Sequence, residues 1–149
     1  MPSIIVLDKL SPDGLALLDA AAKLGISYEV KTGLSGEELK NALASHDGAI
    51  CRSGVKITAD VLAGNHRLRA IVRAGVGTDN IDKQAATRQG IVVMNTPAGN
   101  TVSTAEHAFT LLLALSRNVA PADASLREHR WDRSKYLSLI HISEPTRLD

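Results

Sequence analysis

Residues 69–100 read RAIVRAGVGTDNIDKQAATRQGIVVMNTPAGN, and the fold is decided there. Two short apolar runs, 69–72 and 91–94, are rich in β-branched residues, the pattern of strands covered on both faces. Between them, 82–89 reads as a short helix closed by Gly90. A strand, a helix and a strand on such short links form a parallel βαβ unit. Toward the N-terminus the same pattern recurs, with apolar runs at 3–7 (SIIVL), 27–30 (SYEV) and 48–51 (GAIC). Ser11 is placed to cap a helix that has Pro12 at its first position and Gly25 past its end. Residues 35–38 read as a capping box for a second helix. The expectation is an α/β protein, a parallel sheet with helices on both faces. After 95 the pattern changes. Residues 101–118 predict one long helix, apolar nearly all round from 108 to 115, and 121–131 a second. Neither has a further strand to return to. A helix apolar on every side needs something to bury it, so the two read as a connection toward a second domain.

Composition narrows the function. The chain has 149 residues, 44% hydrophobic and 22% charged, which suits a folded globular chain and not a disordered one. Its single cysteine excludes an internal disulfide framework. Lys and Arg number 17 against 16 acids, so a net charge of +1 gives no electrostatic basis for binding nucleic acid or an anionic membrane. Aromatics at 3% argue against base-stacking platforms. The longest apolar stretch falls short of the ~20 residues that span a bilayer. The N-terminus lacks the layout of a signal peptide and carries Asp8. The expectation is a cytoplasmic protein with no nucleic-acid or membrane partner.

Open parallel α/β sheets bind ligands outside the carboxyl ends of their strands. The residues there are Asp8, then Arg52 and Ser53, then 73–80, then 95–100. Arg52 offers a permanently charged planar fork for carboxylate or phosphate; the alternative is a surface salt bridge. Ser53 adds a hydroxyl, although serines at turns commonly satisfy only local backbone. Gly75-Val76-Gly77 lets backbone N–H groups converge on an anion, or simply makes a tight turn. It is not the dinucleotide fingerprint, whose third glycine would stand where Asn80 is. Asn100 precedes the long helix, whose free N–H groups attract anions; plain capping is the alternative. Glu106 and His107 read as a solvated or interdomain helix face. The five histidines show no metal-ligand spacing, and Cys51, flanked by apolar residues, reads as a core residue.

The segments RSGVKITADVL (52–62), RAGVGTDNID (73–82), ATRQGIVVMNTPAGNTVSTAEH (86–107) and REHRWDRSKY (127–136) resemble the D-isomer-specific 2-hydroxyacid dehydrogenases, within them the branch that oxidises 3-phosphoglycerate. The resemblance covers 3–136. It implies a flavodoxin-like substrate-binding domain over 1–99, with linking helices over 100–136 toward a Rossmann domain. It also implies NAD as cofactor, a small anionic substrate, entry into serine synthesis, and a homo-oligomeric parent protein. It assigns Arg52, Ser53 and Asn100 to substrate phosphate or hydroxyl contacts, and the loop at Gly75, through its backbone amides, to the carboxylate. Val76 and Thr104 would meet the nicotinamide end of NAD. The family's G-x-G-x-x-G and its catalytic Arg, Glu and His would come after Tyr136, so the expectation for the chain as written is no dehydrogenase turnover and no catalytic residue of its own. Residues 137–147, LSLIHISEPTR, resemble, under one codon choice, a transposase-type sequencing adapter read in frame, the alternative being a divergent natural C-terminus. The expectation is that 137–149 is an artefactual tail. Rival readings are another 2-hydroxy acid, such as glyoxylate or hydroxypyruvate, and a corepressor-like module that senses NAD without catalysis.

Overall fold

The computed structural model describes residues 1–136; the tail at 137–149 lies outside the described residues. Five strands, β1 (Ser3–Val6), β2 (Ser27–Val30), β3 (Gly48–Cys51), β4 (Ala70–Arg73) and β5 (Val92–Asn95), form one sheet in the order β2-β1-β3-β4-β5. Every pairing is parallel. This is the flavodoxin-like order, with its direction of winding reversing between β1 and β3. The last two strands begin and end one residue later than their apolar runs. The ladder carries them on: Arg73 pairs with Cys51, and the Ala74 N–H still reaches the Cys51 carbonyl at 2.8 Å.

The helices connect these strands. Helix α1 (Pro12–Ala22) starts where the sequence places it, with Ser11 Oγ accepting the Gly14 N–H at 3.2 Å. Helix α2 (Gly36–Ala44) has Ser35 at its cap position, but the Ser35 side chain makes no capping bond. The capping-box expectation therefore fails at its hydroxyl, and the favourable dipole interaction of Glu37 and Glu38 in the first turn remains. A short α3 (Ala59–Leu62) follows, too short to leave a periodic signal. Helix α4 (Lys83–Arg88) is capped by Asp82, which accepts the Ala85 N–H at 2.9 Å.

Ile5, Leu7, Ala49, Cys51 and Ile71 pack with Leu39, Leu43, Val61, Leu62, Ala85 and Ala86 in one core cluster. The layer α2–α3–α4 thus covers one face of the sheet. Helix α1 contributes no buried residue and sits beside β2. The winding reversal together with right-handed crossovers puts it on the other face. The expectation of strands covered on both sides fails at the edges, since Val30, Val92 and Met94 are all exposed. An edge strand has a neighbour on one side only, and the face opposite α2–α4 is thinly covered there.

The chain divides into two compact units, Met1–Asn100 and the residues from Thr101 onward. In the second, α5 (Thr101–Ser116) carries no buried residue, and Phe109, Leu112 and Leu113 lie exposed along it. Helix α6 (Val119–Arg127) ends four residues earlier than its sequence pattern suggests. His129 takes a left-handed conformation, with φ of 59°, and its N–H bonds the Leu126 carbonyl while that of Arg130 bonds Ser125. These paired bonds close the helix C-terminus. No helix among the described residues is long and apolar enough to cross a membrane.

Candidate functional site

Three strands deliver the site. Beyond Cys51 the β3 chain leaves the sheet as a turn, 52–55; beyond Arg73 the β4 chain leaves as the loop 74–80; beyond Asn95 the β5 chain runs to Asn100. Arg52, Ser53, Arg73, Ala74, Gly75, Thr96, Gly99 and Asn100 line one open hollow of about 410 Å³ at this edge. The structure therefore brings together Arg52, Ser53, Gly75 and Asn100, all singled out in the sequence. Val76, 39% exposed, is the next residue along the loop. Thr104 lies exposed on α5 in the second unit.

The backbone of this loop is engaged in part. The Gly75 N–H donates to the Arg73 carbonyl at 2.8 Å, so this amide is engaged within the loop. The Val76 N–H, next along the loop, has no intramolecular acceptor among the described residues. Gly77 is less suited to an anion, because Asp79 Oδ1 would lie 2.8 Å from a Cβ placed on it. The loop is held from the β5 side. The Thr96 N–H bonds the Gly75 carbonyl at 3.0 Å, and Asn95 Nδ2 donates to the Val76 carbonyl at 2.6 Å.

Arg73 is the candidate site residue that sequence reasoning did not single out. Its guanidinium folds over Gly75 so closely that a Cβ there would overlap Nη1 and stand 2.6 Å from Cζ. Glycine at 75 is thus a steric requirement of the arginine. Arg73 Nε is buried and meets no acceptor among the described residues. Buried donors are rarely left so, and the residue lines the hollow. With Arg52 it places two permanent positive charges on one wall, and none of the lining residues is acidic. The signal in the sequence was RAG: an arginine two residues before a glycine.

Nearby groups do not compete for the role. Asp8 turns its carboxylate to the backbone, accepting the Arg52 N–H at 2.6 Å. The Cys51 thiol is fully buried, and burial, reinforced by the negative charge of Asp8, pushes it up to about 11. It is a packing residue and no nucleophile. A larger hollow of about 570 Å³ lies between the start of α2 and the 54–61 segment, but its two lysines are matched by Glu37 and Asp60.

Comparison with known proteins places this architecture. The chain is 43% identical over 136 residues to a D-3-phosphoglycerate dehydrogenase of Archaeoglobus fulgidus, covering 91% of this chain and 25% of that protein. It is 46% identical over 144 residues to D-3-phosphoglycerate dehydrogenase 2, chloroplastic, of Arabidopsis thaliana, covering 96% and 22%. The chain thus spans about a quarter of the length of these curated relatives. Among solved structures, it superposes on NAD+-bound 3-phosphoglycerate dehydrogenase of Entamoeba histolytica with a TM-score of 0.67 and 28% identity, covering 78% of this chain and 39% of that one. A sequence profile for the catalytic domain of D-isomer specific 2-hydroxyacid dehydrogenases matches residues 4–138. A flavodoxin-like sheet with an arginine-lined hollow at its strand ends, and this match over nearly all of the chain, show that the chain belongs to the D-isomer specific 2-hydroxyacid dehydrogenase family.

Proposed function

We propose that this chain is the substrate-recognising portion of an NAD-dependent oxidoreductase that acts on 3-phosphoglycerate. The observation that carries the reading is the pair of guanidiniums, Arg52 and Arg73, on one hollow with no acidic lining. A simple 2-hydroxy acid brings one carboxylate. Two arginines, an amide and the Ser53 and Asn100 side chains suit a ligand with a second, more highly charged anion. Arg52 and Arg73 would take the phosphate and carboxylate ends. The Val76 N–H would add a donor to the carboxylate, and Asn100 one to the hydroxyl at C2. NAD, when bound, accepts the hydride from C2. The residues here fit only its nicotinamide end, through the exposed Val76 side chain, an apolar wall beside the hollow. They supply no G-x-G-x-x-G turn for its pyrophosphate.

The test is a titration of the 149-residue chain with D-3-phosphoglycerate and with D-glycerate, followed by amide NMR shifts. D-3-phosphoglycerate is expected to bind at least about tenfold more tightly, from one additional charge-assisted contact. Equal affinities, or shifts confined to residues away from 52–55 and 73–80, would overturn the reading.

A further inference from the structure

We propose that Asn80 is a positioning residue for the second anion of the substrate, because its carboxamide fastens the turn that launches Arg52 to the loop that carries Arg73, Gly75 and Val76. This rests on the substrate reading above.

Asn80 Nδ2 donates to the carbonyl of Arg52 at 2.8 Å and to that of Val55 at 2.9 Å, which are the two ends of the 52–55 turn. An amide NH2 has two donors, and both are spent across this one gap. From the opposite side, Asp8 accepts the Arg52 N–H at 2.6 Å. Its Oδ1 lies where a Cβ on Gly54 would have to go. Arg52 is therefore held by its N–H from the end of β1 and by its carbonyl from the β4 loop. Its side chain, in contrast, has a single long bond, Nη1 to the Lys9 carbonyl at 3.4 Å. A long charged side chain loses rotamer freedom when it grips a ligand. Fixing the backbone on both sides aims the guanidinium before the ligand arrives and leaves its tip free to close. The position of Asn80 in the loop also acquires a reason. A glycine there, as the dinucleotide fingerprint would have it, could not span the gap.

Backbone bonds join the same two segments beside this carboxamide. The Ile57 N–H bonds the Asn80 carbonyl at 2.8 Å, and the Asp82 N–H bonds the Ile57 carbonyl at 2.8 Å. With the Ile57–Ile81 bridge, these backbone bonds zip the two segments together whatever side chain stands at 80.

The experiment compares wild type, Asn80→Ala, Asn80→Asp, Arg52→Gln and the Asn80→Ala/Arg52→Gln pair in the 149-residue chain. D-3-phosphoglycerate and D-glycerate are the probes, affinity is read by NMR titration, and folding is read from the amide spectrum. Asn80→Ala should weaken D-3-phosphoglycerate about tenfold and leave D-glycerate within about twofold. Asn80→Asp has the same shape but turns an acceptor on the two carbonyls, and should lose at least as much. In the Arg52→Gln background the Asn80→Ala change should have no further effect, since there is no guanidinium left to aim. An equal loss for both probes, or a full loss that persists without Arg52, would show a general structural role and overturn the proposal. So would unchanged affinity in both folded Asn80 variants while Arg52→Gln weakens D-3-phosphoglycerate, a result that leaves the substrate reading standing. Wild type that fails to distinguish the probes removes the substrate reading, and the proposal with it.

Discussion

Replacing Gly75 by alanine should disable the site through a residue two positions away. The new Cβ would overlap Nη1 of Arg73 and stand 2.6 Å from its Cζ, far inside van der Waals contact. The flexible guanidinium is what yields, and it swings out of the hollow. The Val76 amide and Arg52 remain. What is lost is one charged partner for the ligand, worth about 1.5–3 kcal/mol, or roughly 10- to 150-fold in affinity for D-3-phosphoglycerate. A separate cost falls on stability. Gly75 has φ of 156°, and a side chain held there is strained by about 1–3 kcal/mol. The two effects are separable by assay: thermal denaturation without ligand reads the strain, and NMR titration well below the melting range reads the grip. A double-mutant cycle with Arg73→Ala isolates the mechanism. If alanine at 75 acts by expelling Arg73, the double variant binds no more weakly than the weaker single variant. Affinity within twofold of wild type in Gly75→Ala, or additive losses in the pair, would refute the steric argument.

Two further outcomes follow from groups outside the hollow. The Arg67 guanidinium, with the N–H and hydroxyl of Ser3, holds the Asp47 carboxyl well below the usual carboxylate range. A carboxyl depressed in the folded state stabilises it above the ordinary value near about 3.9 and loses that contribution as pH falls below it. Asp47→Asn should lower the melting temperature at pH 7 and flatten its decline between pH 5 and pH 2.5; parallel curves would rule the linkage out. Cys51, buried and pushed up to about 11, should resist a thiol-disulfide reagent at pH 8 in the native chain and react on unfolding in guanidinium. Rapid labelling of the native chain would contradict its place in the core.

How much of this was legible in the sequence differs by element. The strands were legible because SIIVL, GAIC, RAIV and IVVM are short apolar runs between turn residues. Ser11 and Asp82 announced their helices, and both cap through the side chain. Ser35 did not, because its side-chain rotamer is free to turn elsewhere and a sequence pattern does not fix it. Arg52 and Ser53 were legible as the first polar positions beyond an apolar run, Gly75 as part of a Gly-Val-Gly turn, and Asn100 as the residue that precedes a long helix. Arg73 was not, because a charge closing a strand reads the same whether it faces water or folds back over the loop that follows. The engagement of the Gly75 amide was equally hidden, since it depends on the local path of a turn that two glycines leave open.

The strand register supplies what no single segment could. Parallel partners send their side chains to one face of the sheet. Ala49, Ile71 and Val93 are partners across β3, β4 and β5, and all lie in or against the core. One step of the pleat further on, the partners are Cys51, Arg73 and Asn95. On that same face the row is apolar at β3 and polar at β4 and β5. The core ends there, between one row and the next, and the hollow begins. Arg73 occupies the boundary and lines the hollow, and its Nε is buried without an acceptor among the described residues. Asn95 occupies the next place in the row and holds the Val76 carbonyl. A row that changes from packing to polar contacts within one pleat is too costly to bury without partners. The loops have to supply them, or a ligand does, and that requirement points to this corner of the sheet as the candidate site independently of any resemblance.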